Sequence, residues 1–144
     1  YTTLFRSPFL RIAPICNGKI YVAPRSYQGE EPGKLDIPME DYIYACKTDT
    51  DKYAKEVENK YSNHITGQPE PRFSLKHLVK ETNGVKKTIM LYILPLNDEE
   101  QIHFTGGKFV TPEEIEMNSA QYSSFLKEEI DHLNIVTQMW EEFK

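Results

Sequence analysis

The run Thr88-Ile-Met-Leu-Tyr-Ile-Leu94 is almost continuously apolar and ends at Pro95. It is too short to span a membrane, and it lacks the alternation of a strand with one wet face. Such a run reads as a central strand covered on both faces. The chain must then supply a layer on each side of a sheet, which points to helices packed on two faces. Because the overall composition is 39% hydrophobic and 27% charged, 144 residues can form a packed core without staples.

The rest of the chain fits that demand. Phe9 to Cys16 and Lys19 to Ala23 read as strands joined by Asn17-Gly18, a strong hairpin signal. Residues 26–34 read as a loop, and Leu35 to Pro38 as a short extended piece. From Thr48 to Tyr61 the period changes. Asp49 or Thr50 can cap a helix whose Tyr53, Ala54, Val57 and Tyr61 share a face. Arg72 to Lys80 and Val85 to Leu94 form a second hairpin about Asn83-Gly84, and one more strand lies between Gln101 and Val110. Thr111-Pro112-Glu113 starts a short helix, and a long helix is expected from about Asn118 to Phe143. The expectation is one α/β domain with a mixed sheet between helices, residues 1–8 being an N-terminal extension or linker.

Net charge is −5, which argues against a dedicated nucleic-acid surface. The average hides a polarity. Arg72, Lys76, Lys80, Lys86 and Lys87 stand against Glu81, while Glu113 to Lys144 holds eight acids and two bases. The basic hairpin could grip a phosphorylated ligand or an acidic partner; lysines that guard a solvated sheet edge are the plainer reading. Cys16 and Cys46 form no metal or redox motif and read as reduced thiols of a cytoplasmic protein. No signal peptide is legible in Tyr1 to Arg6 and no segment is suited to membrane insertion. The absent initial Met suggests a domain serving a longer chain.

Taken in order, these phrases resemble the Nudix hydrolases. "FLRIAPICNGKIYVAPRS" is similar to the family's first hairpin, "GKLDIPMED" to the strand that leads into its Pro-Gly-Gly turn, "PRFSLKHLVKETNGVKKTIMLYILPLND" to its central hairpin, and "GGKFVTPEEIE" to its last strand and short helix. The resemblance implies a Nudix-like α/β/α sandwich. It also implies a Nudix box, G-x5-E-x7-R-E-U-x-E-E-x-G-U, whose carboxylates hold Mg²⁺ against a diphosphate. In "YAKEVENKYSNH" only Glu56 and the apolar Val57 match. Lys55 stands for the Arg, Asn59 and Lys60 for the paired acids, Ser62 for the Gly, and Lys47 for the loop glutamate. A rival alignment, Gly107 to Glu113 with Glu128 and Glu129, has the wrong spacing and leaves no room for the family's central strands.

The resemblance therefore implies a Nudix fold with a degenerate box: a ligand-binding or regulatory module for a nucleotide or phosphorylated metabolite, without a cofactor. Arg25, Tyr27, Arg72 and Lys76 are the candidate ligand contacts. The alternatives are a noncanonical Nudix phosphohydrolase using Mg²⁺ with Glu56 and Glu58, helped by Glu40 or Asp41, and a protein-interaction domain. Tyr21, Tyr27, Tyr42, Tyr44, Tyr53 and Tyr61 could stack a base or simply pack between sheet and helix. His64, His77, His103 and His132 show no ligand spacing, and Glu128, Glu129 and His132 read as a solvated helix face. A partner could be the parent chain or a second copy.

Overall fold

The computed structural model describes residues 9–42, 50–82 and 85–144, with only the backbone described for 76–82 and 85–87. Strand β1 (Phe9–Cys16) turns at Asn17-Gly18, both with positive φ, into β2 (Lys19–Pro24). Strands β3 (Leu35–Asp36) and β4 (Met39–Tyr42) precede helix α1 (Thr50–Lys60). The long hairpin β5 (Arg72–Thr82) and β6 (Val85–Pro95) comes next, then β7 (Lys108–Val110), α2 (Pro112–Met117) and α3 (Ser124–Phe143).

The sheet is mixed, in the order β3-β2-β1-β6-β5, with β4 also pairing β1 and β7 pairing β2. Strand β1 runs parallel to β6 and antiparallel to β2 and β4. The apolar β6 run is buried on both faces as expected, but β1, bonded to three strands, sits at the middle. Side chains alternate across the sheet. Leu10, Ile12, Met90, Tyr92 and Leu94 pack with Ala54 and Val57 of α1, whereas Ala13, Ile15, Leu91 and Ile93 pack with Ile115 of α2 and with Leu126, Ile130 and Leu133 of α3. Two helical layers therefore enclose the sheet.

The long helix starts at Ser124, six residues later than its periodicity suggested. Ser123 is extended, its backbone N–H bonds the Leu35 carbonyl at 2.9 Å, and its Oγ accepts from Leu126 N at 3.1 Å. Pairing with the β3 segment thus holds Tyr122 and Ser123 out of the helix, and the serine caps α3. The cap expected at Asp49, the Asn83-Gly84 turn, Cys46, Tyr44, Lys47 and residues 1–8 lie outside the described residues. Among the described residues, no helix is long and apolar enough to cross a membrane.

One glycine is fixed by packing. A Cβ on Gly107 would lie 2.0 Å from Tyr21 Oη, whose ring fills that space while its hydroxyl accepts from Phe104 N at 2.8 Å. Gly107→Ala should therefore cost about 2 kcal/mol through overpacking, read from urea unfolding. A Tyr21→Ala background should absorb most of that cost, and equal costs in both backgrounds would contradict the packing account.

Candidate active site and ligand cleft

Arg11 points from β1 toward α3 and is fully buried. A buried guanidinium must have its donors satisfied and its charge matched. Nε and Nη2 donate to the two oxygens of Glu129, both at 2.8 Å. Nη2 and Nη1 donate to Asp36 at 2.7 and 3.2 Å, and Nη1 also donates to Glu40 Oε1 at 2.5 Å. These carboxylates come from α3, β3 and β4, so one side chain ties three elements to the central strand. Arg25, at the end of β2, donates to Asp36 Oδ2 at 2.5 Å and to the Glu30 carbonyl at 2.7 Å, with Nη2 3.6 Å from Glu40 Oε2. The Phe125 ring lies against both guanidiniums, 5.2 and 5.4 Å from its centre.

Glu129 does not lie on a solvated face, as its helix position suggested: its side chain is 0% exposed, which corrects that reading. The helix turn that carries it faces the sheet, and Arg11 makes that burial possible. His132, one turn on, is half-buried with Nε2 2.5 Å from Ser74 Oγ, and burial lowers its pKa.

On the open side of this cluster lies a cleft of about 480 Å³. Arg25, Asp36 and Glu40 line its floor, and Tyr61, His64 and Phe104 form a wall. His64 lies flat on Phe104, centroids 4.0 Å apart and planes 7° apart, with Tyr61 5.8 Å from Phe104. The chain locks this wall in place. Ile65 bridges Ile102, His103 N–H bonds the His64 carbonyl, and His64 Nδ1 donates to the His103 carbonyl at 2.9 Å. The bond from Phe104 N to Tyr21 and the close fit of Gly107 fix the other side.

The carboxylates of α1 sit elsewhere. Glu56 is exposed, and Glu58 is buried against Lys55 Nζ at 2.9 Å; neither lines the cleft. Lys60, which the resemblance set against a metal-binding acid of the Nudix box, pairs with Asp41. Among the described residues, no group of three or more His, Cys, Asp or Glu side chains is placed to hold a metal ion. The α1 donor set therefore does not fit Mg²⁺, which needs several converging oxygens. Of the candidate ligand contacts, Arg25 lines the cleft. Tyr27 is 88% exposed and does not line it, and Arg72 lines a separate depression beside Trp140. The side chains of Lys76, His77, Lys80, Lys86 and Lys87 are not among those described.

Known structures of the same shape identify the scaffold. A Nudix hydrolase from Nitrosomonas europaea superposes with a TM-score of 0.63 at 11% identity, covering 92% of this chain and 90% of that one. The fold is Nudix-like. A Nudix hydrolase from M. smegmatis matches equally well, TM-score 0.63 at 11% identity over 92% of this chain and 87% of its own. The C-terminal domain of mouse MUTYH, solved in complex with human PCNA, matches with a TM-score of 0.57 at 16% identity, over 95% and 88%. No protein-family model matches the sequence, and no curated protein does. Within the Nudix-like scaffold, Arg11, Asp36, the burial of Glu129 and the places of His64 and Phe104 in the wall were missed by sequence reasoning, whereas Tyr61 was among the tyrosines named for stacking. A lone arginine inside the apolar phrase "FLRIAPIC" was the available signal, since such a residue requires buried acids elsewhere.

The cluster titrates in a defined direction. Burial pushes Glu129 up from 4.5 to about 7 against the pull of Arg11. Burial likewise raises Glu40. It acts on Asp36 too, but there Arg11 and Arg25 win and hold the carboxyl low. Glu129 thus binds its proton more tightly folded than unfolded. Its contribution favours folding on the acid side of the window and is lost as pH rises from about 4.5 through about 7. Glu40 adds to that slope, while Asp36 acts only below the ordinary carboxylate range. Urea unfolding of the wild type should show less stability at about pH 8 than at about pH 5.5, the depressed pKa of His132 offsetting part of that loss. In Glu129→Gln that loss should shrink markedly, and an unchanged loss would contradict the assignment.

Proposed function

We propose that this chain is a ligand-binding Nudix-fold module, suited to a regulatory role, whose cleft stacks the planar ring of a small phosphorylated compound such as a nucleotide. The observation that carries this reading is the pairing of a fixed aromatic wall, Tyr61, His64 and Phe104, with the polar floor of Arg25, Asp36 and Glu40. Ring stacking supplies affinity without reading one particular base, and the floor offers both donors and acceptors to a ring edge. The ligand is held rather than hydrolysed because the α1 acids Glu56 and Glu58 stand outside the cleft and Lys60 occupies a metal-ligand position.

The expected outcome is thermal stabilisation by a purine nucleotide in EDTA. The melting temperature should rise by about 5 °C or more at a hundredfold excess over Kd, with no phosphate released after Mg²⁺ is added. His64→Ala and Phe104→Ala should each weaken binding about tenfold, since stacking contributes about 1–3 kcal/mol per base. Mg²⁺-dependent hydrolysis lost in Glu56→Gln or Glu58→Gln would instead establish the noncanonical phosphohydrolase.

A further inference from the structure

The buried cluster whose Arg25, Asp36 and Glu40 line the floor of the cleft has an uneven charge balance. Two guanidiniums, Arg11 and Arg25, face three carboxylates, Asp36, Glu40 and Glu129. The buried pair of acids is fully engaged. Asp36, 1% exposed, accepts from Arg11, Arg25 and its neighbour Ile37 N, while both Glu129 oxygens accept from Arg11. Glu40 differs. It lines the cleft, its side chain is 23% exposed, and only Oε1 is tightly held, by Arg11 at 2.5 Å. Its Oε2 stands 3.6 Å from Arg25 Nη2, beyond a hydrogen bond, and so keeps acceptor capacity in a residue that lines the cleft. Among the described residues, charged side chains of the adjoining segments have partners of their own. Lys60 pairs with Asp41, Lys34 donates to the Ala120 carbonyl, and the Glu31 carboxylate accepts from Ser124.

We propose that Glu40 is the specificity-determining residue of the cleft: its carboxylate accepts a hydrogen bond from an N–H of the stacked ring, so that the cleft selects neutral and cationic planar rings and rejects anionic ones. This rests on the ligand-binding reading above and assigns the ring end, not the phosphate end, of a ligand to the floor. The wall favours the same selection: His64 covers one face of Phe104, but the Tyr61 ring is tilted against both rather than stacked, and its face carries the negative side of the aromatic quadrupole, which attracts a cationic ring. An anion on the floor would meet the unmatched carboxylate in a partly desolvated site, and such a repulsive contact discriminates as effectively as an attractive one.

Three probes of one shape test this: 2-naphthamidine, 2-naphthamide and 2-naphthoate, which at about pH 8 are cationic, neutral and anionic. Calorimetric titration of the full chain in EDTA should find the amidine at least tenfold tighter than the carboxylate, with the amide between. In Glu40→Gln that ratio should fall below about threefold while the amide still binds. Should circular dichroism show Glu40→Gln unfolded, Glu40→Asp, which withdraws the carboxylate by one methylene, should lower the ratio at least threefold. A carboxylate that binds as tightly as the amidine, or a ratio untouched in a folded Glu40 variant, overturns this proposal and leaves the stacking cleft standing. Failure of all three probes and of purine nucleotides to bind overturns both.

Discussion

The buried guanidinium of Arg11 is the interaction on which the rest of this molecule depends. It stands at the middle of the sheet, and all five of its N–H groups are taken by carboxylates from three other elements. Breaking such a cluster from one side would strand buried charge, at a cost of about 3–5 kcal/mol, although the intact cluster is not itself a large source of stability. Its role is better described as specification. It sets where α3 lies on the sheet, where β3 and β4 turn, and which oxygens face the cleft.

That arrangement links fold to function directly. The same Asp36 and Glu40 that neutralise Arg11 form the floor of the cleft, and Arg25 joins them from the residue after β2. The wall opposite is built by different means, through a short bridge between residues 65 and 102 and through the hydroxyl of Tyr21. Both sides are therefore set before any ligand arrives, which reduces the ordering cost of binding. In helix α1, Lys55 pairs with Glu58 and Lys60 with Asp41, and neither Glu56 nor Glu58 lines that cleft.

Much of the fold was legible because local signals agreed with each other. The Asn17-Gly18 turn, the apolar run to Pro95 and the Thr111-Pro112 helix start each rest on backbone chemistry that tertiary contacts did not override. The start of α3 was not legible, because the periodicity of Tyr122 continues into the helix while its backbone pairs with β3. The site was legible only in part. Arg25 and Glu40 were in view, but the partners of Arg11 are 25, 29 and 118 residues away in sequence, and nothing local connects them. The apolar spacing of Phe125, Leu126 and Ile130 even placed Glu129 on the wet side, since a buried acid is indistinguishable from a solvated one until its arginine is known.

The most direct test is a nuclear magnetic resonance titration of the protein with ADP, first in EDTA and then with Mg²⁺. The account predicts that shifts gather on Glu40, His64 and Phe104 in EDTA and stay the same when the metal is added. Shifts that gather on Glu56 and Glu58 of α1, and only when Mg²⁺ is present, would contradict it.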